Sequence, residues 1–275
     1  MKQIVEDYSR SSPATSSVIT LITATFNGAR PLAEMAHHVR GLGYHRLEWI
    51  VVDGGSCDGT AAVMEANRDI IAVGLSEPDR GIYDAWNKGV ARATGEWIIF
   101  LGTDDRVEPT WLEAVGSSDT EADVLYGDLA VVHADSGATL QVRRLHPWPE
   151  ESARLRRWMS LPHTGMAHHR RMFAERRFDT ELRIFGDWEF LLRGWPLRGQ
   201  YFPGQVQARM ALGGVSNGPQ RIVQAHREMR AVQRCYSLSL PMAERLRWEA
   251  KLAIARCPWL YGALQTLYWR GKLRG

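Results

Sequence analysis

Two adjacent carboxylates, Asp104 and Asp105, follow a short apolar run at residues 97–101 of this 275-residue chain, after Gly102 and Thr103. A run of this length is typical of a buried strand, so the pair is expected where that strand ends. Two carboxylates in such a position can hold a divalent cation against the phosphates of a bound substrate. Alone the pair is a weak signal, because acidic residues are also common in turns.

Polar loops suited to a nucleotide follow three further strand-like runs. They are Thr-Phe-Asn at 25–27, Asp-Gly-Gly-Ser at 53–56 and Glu-Pro-Asp-Arg-Gly at 77–81. The carboxylate of Asp53 can accept hydrogen bonds from a base or ribose, and the glycines after it allow a ligand to approach the backbone. Arg80 can offset phosphate charge or hold the base. Together with Asp105, these residues predict a nucleotide site.

The elements that must position these loops alternate along the first hundred residues. Strand-like runs are predicted at 18–25, 48–53, 70–75 and 96–101, with helix patterns around 32–39, 59–68 and 82–93 between them. This alternation favours a mainly parallel α/β sheet, whose ligands bind outside the carboxyl ends of the strands. The four polar loops are therefore expected along one edge of the sheet.

Beyond residue 105 the pattern changes to antiparallel pieces and helices. A hairpin is predicted from 124–132 and 139–143, and one or two short strands within 199–212. Helical stretches are predicted at 150–159 and 186–193, and from residue 220 onward with breaks at Pro241 and Pro258. The predicted organisation is a flexible leader at 1–16, a domain at 17–215 divided after residue 105, and basic amphipathic helices at 216–275.

Composition excludes several classes of protein. With 45% hydrophobic residues the chain can bury a sizeable core. A signal peptide and a membrane span are not expected, because the first residues lack an apolar stretch and no run approaches about 18 apolar residues. Its three cysteines lack metal-type spacing and fit a reducing cytoplasm. A dehydrogenase or P-loop site is not indicated, because no G-x-G-x-x-G follows the first strand and no G-x-x-x-x-G-K-[ST] occurs.

Several segments taken together resemble the family-2 glycosyltransferases of the GT-A fold, in particular the bacterial branch that builds capsular, exopolysaccharide and colanic-acid-type polymers. The resemblance covers about residues 18–215 and is most specific before residue 106. Its motifs are 18–27, Glu-Trp-Ile-Val-Val-Asp-Gly-Gly-Ser-Cys-Asp-Gly-Thr at 48–60, Asp-Arg-Gly-Ile-Tyr-Asp-Ala-Trp-Asn-Lys-Gly at 79–89, and Gly-Thr-Asp-Asp at 102–105.

The resemblance implies an enzyme that transfers a sugar from a nucleoside diphosphate sugar to an acceptor hydroxyl with inversion. It places Asp53 at the base, Asp104 near the ribose and Asp105 on a Mn²⁺ or Mg²⁺ ion. The remaining nucleotide positions that it implies are Thr25, Asn27 and Arg80. Thr103 departs from the usual Asp-x-Asp form of the metal motif.

The resemblance also implies a catalytic base near the start of the 186–193 helix. Asp187 is the leading candidate to take the acceptor proton, and Glu189 is its rival. The two are i and i+2, so on a helix they point in different directions and only one should face the cleft. The structural alternative is that Asp187 caps the helix.

The Pro-His-Thr-Gly segment at 162–165 resembles the family's Pro-His-Gln-Gly loop, which brings His163 towards the donor diphosphate or the acceptor. Asp128 lies on a strand that runs under the site in the family, where it either touches the sugar or ends the strand. His168 and His169 are adjacent, so a strand would point them to opposite faces, which favours a structural role over metal binding. Trp86 lies on an apolar helical stripe and is expected in the core.

The C-terminal region is strongly basic. From residue 221 onward eleven Lys or Arg face three Glu, a net charge of +8, whereas the whole chain carries +3. Basic residues interleaved with Trp and Tyr after residue 256 suit a membrane interface, and the alternative is a helix packed on the domain with solvated charges. Nine arginines between Arg143 and Arg177 suit an acceptor diphosphate. Nucleic acid is not expected, because no binding motif accompanies the charge.

The leading hypothesis is thus an inverting, metal-dependent glycosyltransferase acting on a glycan or lipid-linked glycan acceptor. The expected location is the cytoplasm, with contact at the inner face of the cell membrane as an open possibility. Two alternatives remain at this stage. One is a non-catalytic module that binds a sugar nucleotide or a membrane surface. The other is a nucleotidyltransferase, which should carry a Gly-rich loop with Lys or Arg after the first strand, where this chain has Thr-Phe-Asn-Gly-Ala.

Overall fold

The computed structural model describes residues 17–133, 136–212 and 219–256. The predicted leader at 1–16, the Gly-Gly-Val-Ser loop at 213–216 and the aromatic tail after residue 256 lie outside them. Within the described residues the chain forms nine strands, eight α-helices and a short 3₁₀ helix at Arg170–Phe173. In chain order the elements are β1 Ile19–Thr25, α1 Ala29–Gly41, β2 Leu47–Asp53, α2 Thr60–Ala66, β3 Ile71–Ser76, α3 Ile82–Val90, β4 Trp97–Phe100, β5 Arg106–Val107, α4 Pro109–Gly116, β6 Val124–His133, β7 Thr139–Arg143, α5 Trp148–Leu155, β8 Ala167–His169, α6 Gly186–Arg193, β9 Gly199–Leu212, α7 Pro219–Cys235 and α8 Met242–Ala255.

The first half of the sheet is parallel, as predicted. Its strands lie in the order β3-β2-β1-β4, and the register places Thr25 beside Asp53 and Asp53 beside Ser76. Backbone hydrogen bonds continue past the strand ends, from the Gly54 N–H to the Thr25 oxygen and from the Glu77 N–H to the Asp53 oxygen. The four polar loops therefore share one edge, which confirms the prediction from the sequence.

Both faces of this sheet are covered, and the side chains of each strand alternate between two cores. On β4, Ile98 and Phe100 join the core that contains α3 and α6, whereas Trp97 and Ile99 join the core that contains α1 and α4. A strand buried on both faces reads as a continuous apolar run, which is why β4 is recognisable in the sequence. Its end is therefore fixed where Asp104 and Asp105 begin.

The second half of the sheet is mixed. Strand β8 pairs antiparallel with β4 and with β6, while β9 runs parallel to β6 and antiparallel to β5. The predicted hairpin is present as β6 and β7. The region 199–212, predicted as one or two short strands, is one strand of 14 residues. Pro203 and Gly204, which suggest a break, lie in a bulge, because the pairing with β6 skips from Tyr201 to Val206.

Helix α7 packs on the domain. Met229 and Val232 of this helix are buried in the same core as α3 and α6, and α8 packs against α7. The described part of the C-terminal region thus fits the packed alternative, while the aromatic tail is outside it. No helix in the described residues is both long and apolar enough to cross a membrane.

Candidate active site

The loops after β1 and β2 are tied into one unit. The Asn27 N–H donates to the Ser56 hydroxyl at 2.6 Å, and the Cys57 N–H donates to Asn27 Oδ1 at 3.1 Å. Asn27 has a φ of 48°, a left-handed conformation that asparagine tolerates better than most residues. Thr25 is buried, and no described residue hydrogen-bonds to its hydroxyl. Of the two nucleotide positions predicted in this loop, Asn27 is exposed and Thr25 is buried.

Asp53, which is predicted to bind the nucleobase, is completely buried. Its Oδ2 accepts hydrogen bonds from the Ser76 hydroxyl at 2.7 Å and the Ser56 N–H at 3.1 Å, and its Oδ1 accepts the Ser56 hydroxyl. The carboxylate thus joins the ends of β2 and β3 to the loop between them. Both of its oxygens are engaged by the protein.

The loop after β3 approaches the loop after β2 closely. A Cβ at Gly54 would lie 2.6 Å from Asp79 Oδ2, so a larger residue there would displace the Asp79 carboxylate. Arg80 is mostly exposed and faces Asp84 across 3.5 Å. The Arg183 guanidinium lies over Gly81, where an added Cβ would clash with it. Two arginines therefore stand at the start of α3, beside the loop expected to meet phosphate.

Asp104 and Asp105 occupy different environments. Asp104 is exposed, whereas Asp105 is buried and, among the described residues, accepts long hydrogen bonds from the Ala211 N–H at 3.3 Å and the Thr164 hydroxyl at 3.4 Å. Burial, reinforced by the charge of Asp104, raises the pKa of Asp105 to about 7. A carboxyl in this position gains from a bound cation, which offsets both the burial and the repulsion. The pair therefore fits a divalent metal.

The protein supplies few metal ligands besides this pair. Among the described residues, no three His, Cys, Asp or Glu side chains come together as a metal site. His168 is fully buried and His169 only partly so, on opposite faces of β8, as expected for neighbours on a strand. Burial lowers the pKa of His168 to about 4, so it is neutral. A cation at Asp105 would have to complete its shell with substrate or water oxygens.

His163 lies within an aromatic cluster. Its ring stacks on Trp86, with centroids 4.8 Å apart, and on Phe100 at 5.1 Å. Burial holds its pKa well below the usual value, so the ring is neutral, and no described residue hydrogen-bonds to its Nε2. Trp86 is buried in the core, as expected. The structure therefore places His163 under the site as a neutral, tightly packed ring.

Asp187 lies in the first turn of α6 and is partly buried. Its Oδ1 accepts the Trp188 N–H at 2.8 Å and the Tyr83 hydroxyl at 3.3 Å. Burial raises the pKa of Asp187 to about 6. The N-cap of α6 is Phe185, so Asp187 is not the capping residue. A carboxyl with this pKa can exchange a proton near neutral pH.

Glu189, the rival base, is already committed on both oxygens. Oε1 accepts the Tyr236 hydroxyl at 2.7 Å, and Oε2 pairs with Arg193 at 3.1 Å. As the helical spacing predicts, Glu189 and Asp187 have separate partners. Of the two, Asp187 is the carboxylate without an ion pair among the described residues.

Asp128 on β6 is buried and also held by the protein. Its Oδ1 accepts the Tyr201 hydroxyl at 2.6 Å and the Leu145 N–H at 3.1 Å. These contacts tie β6 to β9 and to the end of β7.

Sequence reasoning missed three residues that shape this site: Tyr83, Arg183 and Glu228. Tyr83 lies four residues from Asn87 on α3, in a motif that was recognised, but its apolar stripe gave no sign of the bond to Asp187. Glu228 on α7 accepts the backbone N–H groups that precede α6. No local pattern could have revealed that contact, because the partners are more than 40 residues apart.

The sheet order, the strand-edge loops and the carboxylates after β4 define a GT-A fold. Residues 20–180, more than half of the chain, match the family described as Glycosyl transferase family 2. The chain therefore belongs to this family, and the resemblance seen in the sequence is confirmed. The matched segment ends seven residues before Asp187, so α6 and the C-terminal helices lie beyond it.

Similar proteins have related names. Over 217 residues, 73% of this chain and 79% of the relative, it is 28% identical to a PGL/p-HBAD biosynthesis glycosyltransferase of Mycobacterium bovis. Over 89 residues, 32% of this chain, it is 40% identical to an uncharacterized glycosyltransferase of Mycobacterium tuberculosis. The match spans only about a third of that relative's length, 34%.

Solved structures show the same fold. The S. aureus TarS 1-349 structure has a TM-score of 0.61 at 17% identity, over 86% of this chain and 71% of TarS 1-349. The mannosyltransferase PcManGT from Pyrobaculum calidifontis, in complex with GDP-Man and Mn²⁺, has a TM-score of 0.59 at 18% identity, over 96% of this chain and 77% of its own. At these identities the likeness concerns the fold alone.

Proposed function

We propose that this protein transfers a sugar from a nucleoside diphosphate sugar to an acceptor hydroxyl, inverting the anomeric carbon. The observation that carries the proposal is the contrast between Asp187 and Glu189. Asp187 is left without an ion pair and has a pKa near 6, whereas Glu189 is fully engaged. A binding module needs no such base. Membership of glycosyl transferase family 2 indicates the reaction in which the base would act, the transfer of a sugar.

In this mechanism Asp187 accepts the proton of the acceptor hydroxyl as that oxygen forms a bond to the anomeric carbon. The bond from the anomeric carbon to the diphosphate breaks, and the nucleoside diphosphate leaves with the bonding electrons. The Trp188 N–H donates to Asp187 Oδ1, with the Tyr83 hydroxyl 3.3 Å from the same oxygen, which leaves Oδ2 to take the proton. Attack from the face opposite to the leaving group accounts for inversion.

Donor binding would use the strand edge. Asn27, Arg80 and Asp104 are exposed there, while Asp53 and Thr25 lie just beneath. Asp105 and Asp104 would hold a divalent cation, Mn²⁺ or Mg²⁺, which supplies charge stabilisation to a departing diphosphate. PcManGT is in complex with GDP-Man and Mn²⁺, and TarS with UDP-GlcNAc, which supports a donor of this class. His163 would support the donor pocket from below as a neutral ring.

The direct test is a donor screen. Purified protein is incubated with UDP-, GDP- and dTDP-sugars, with Mn²⁺, with Mg²⁺ or with a chelator, and release of nucleoside diphosphate is measured. Cation-dependent release from one donor, with the product sugar of inverted configuration, is the expected result. Release of pyrophosphate from a nucleoside triphosphate would instead indicate a nucleotidyltransferase. Binding of donors without turnover under any condition, including with acceptor present, would indicate the binding module.

The acceptor belongs to the same proposal, as a glycan or lipid-linked glycan in surface polysaccharide or glycolipid synthesis. The names of the Mycobacterium bovis relative and of the putative glycosyltransferase EpsH of Bacillus subtilis, 26% identical over 125 residues, support that class. A cytoplasmic enzyme touching the inner membrane face through its C-terminal residues would fit such an acceptor. Liposome flotation of the full chain and of a chain truncated before Pro241 tests this contact, and equal flotation would contradict it.

A further inference from the structure

Helix α7 reaches the start of α6 through one side chain, Glu228. Its Oε2 accepts the N–H groups of Ile184 at 2.8 Å and Phe185 at 3.1 Å, and its Oε1 accepts the Arg183 N–H at 3.0 Å. Gln224, one turn earlier on α7, donates to Oε1 at 3.0 Å. The Glu228 side chain is buried, with 7% of its surface exposed. A single carboxylate therefore receives three consecutive backbone donors.

These donors lie at and just before the N-cap of α6. N–H groups near the start of a helix lack partners within the helix, and a nearby side chain usually accepts them. The N-cap residue here, Phe185, has no such side chain and makes no side-chain capping bond. Glu228 supplies the acceptor from another part of the chain. Its negative charge also interacts favourably with the positive, N-terminal end of the α6 dipole.

The same contact reaches Asp187 through Tyr83. The Ile184 N–H donates to Glu228, while the Ile184 carbonyl accepts the Tyr83 hydroxyl at 2.8 Å. That hydroxyl also lies 3.3 Å from Asp187 Oδ1. The backbone of Ile184 is thus fixed from both sides. A shift at Glu228 would move both the helix that carries Asp187 and the hydroxyl contact that orients it.

A second contact from the α7 region reaches a residue of α6 that follows Asp187 in the sequence. Tyr236, the residue after α7, donates to Glu189 Oε1 at 2.7 Å. Residues 185 and 189, four apart on one side of α6, are therefore both held by the α7 region, and Asp187 lies between them in the sequence. The tyrosine keeps Glu189 occupied, and the glutamate sets the position of the turn.

We propose that Glu228 is a positioning residue for sugar transfer, which holds the first turn of α6 so that Asp187 meets the acceptor hydroxyl. This inference rests on the proposed function. It extends the working site beyond the family match at 20–180 to the C-terminal helices. A catalytic group that is misplaced by about 1 Å can lose about 100-fold in rate, so such a contact matters for turnover.

The test compares Glu228→Gln and Glu228→Ala with Val232→Ala on the same helix. Val232 is buried in the core, so its truncation loosens α7 without removing a hydrogen bond at α6. We expect kcat to fall about 10-fold in Glu228→Gln and about 100-fold in Glu228→Ala. The donor KM should stay within about threefold, because Glu228 accepts its hydrogen bonds from 183–185 and Gln224 rather than from the strand-edge loops. Val232→Ala should lower Tm and leave kcat within about twofold.

Hydrogen exchange gives a readout that does not depend on turnover. In Glu228→Gln the amides of 183–185 should exchange at least about 10-fold faster than in wild type, whereas Val232→Ala should not single them out. If Glu228→Ala does not fold, the Gln variant carries the test, since it keeps the shape of the side chain. Unchanged exchange at 183–185 overturns the inference.

The kinetic outcomes separate the inference from the proposed function. Faster exchange with an unchanged kcat would show that Glu228 only stabilises the fold, and would overturn the inference alone. A proportional rise in donor KM with constant kcat would overturn it in the same way. A wild-type protein that releases no nucleoside diphosphate from any donor would overturn the proposed function, and this inference with it.

Discussion

Asp53 in the parallel half of the sheet and Asp105 at its junction with the mixed half differ in how the protein holds their carboxylates. In the parallel half, Asp53 is held by Ser56 and Ser76, and Asp58 accepts the Ala29 N–H at 3.0 Å and the Thr60 hydroxyl at 2.5 Å. At the junction with the mixed half, Asp105 accepts hydrogen bonds of 3.3 and 3.4 Å from described residues, and beyond it two donors share one oxygen of Asp187.

This difference separates structural carboxylates from reactive ones. A carboxylate that accepts several short hydrogen bonds keeps its charge and fixes the loop around it. One that is buried with few donors has a raised pKa and gains from a cation or a proton. The same residue type at the end of a strand therefore serves either to shape the site, as Asp53 does, or to act in it, as Asp105 does.

The largest effect should come from Asp187→Asn. Loss of a general base costs about 100- to 10,000-fold in rate, so we expect kcat to fall about 1,000-fold, while donor affinity by calorimetry stays within a few-fold. Glu189→Gln is the matched control, and it should cost far less because Glu189 is already paired with Tyr236 and Arg193. Equal losses in the two variants would remove the distinction between them.

Asp105→Asn should abolish cation-dependent donor binding, with affinity for Mn²⁺ falling about 100-fold. Protons compete with the metal, since the pKa of Asp105 is about 7. Below pH 7 the wild-type metal affinity should therefore drop about tenfold per pH unit, and above pH 7 it should level off. Calorimetric titration between pH 5.5 and 8.5 measures both. Donor affinity that is identical with and without chelator would contradict the metal assignment.

The comparison predicts opposite stability effects for one substitution at two sites. Asp53→Asn replaces an acceptor of serine and backbone donors, so it should destabilise the fold by about 1–3 kcal/mol. Asp105→Asn should raise Tm without metal at pH 8, because it removes a buried charge. A raised pKa stabilises the fold fully below the unfolded value near 4 and loses that effect as pH rises through about 7, so the Tm gain should shrink towards pH 4. Thermal unfolding by circular dichroism decides both signs.

The smallest effect is the acid limb of the pH profile. With a pKa of about 6, Asp187 is deprotonated above pH 6 and protonated below it. At saturating metal and donor, kcat should fall about tenfold per pH unit below pH 6 and be flat from pH 7 upward. A limb that persists unchanged in the residual activity of Asp187→Asn would assign it to another group.

The parallel half could be predicted from the sequence because its signals are local. Four apolar runs, three helix patterns and the polar residue after each strand determine the edge, and Asn27, Asp53, Arg80 and Asp105 fall on it. What escaped prediction depends on distant contacts: the pairing of β6 with β9, the burial that sets the pKa of Asp105 and Asp187, and the acceptor that Glu228 offers to 183–185. These involve partners that are 43 to 106 residues apart.

The parallel pairing of β6 with β9 also determines when each half can form during synthesis. Strands β1 to β4 need only about the first hundred residues, because all of them, including the distant pair β1 and β4, lie within that part of the chain. Strand β6 must wait for β9, 75 residues later in the register from Val124 to Gly199, and α6 must wait for α7 to supply its acceptor. During synthesis the N-terminal part of a chain is available to fold first. A ribosome-bound chain should therefore expose the folded strand-edge loops of the predicted nucleotide site well before Asp187, the proposed catalytic base, is in place.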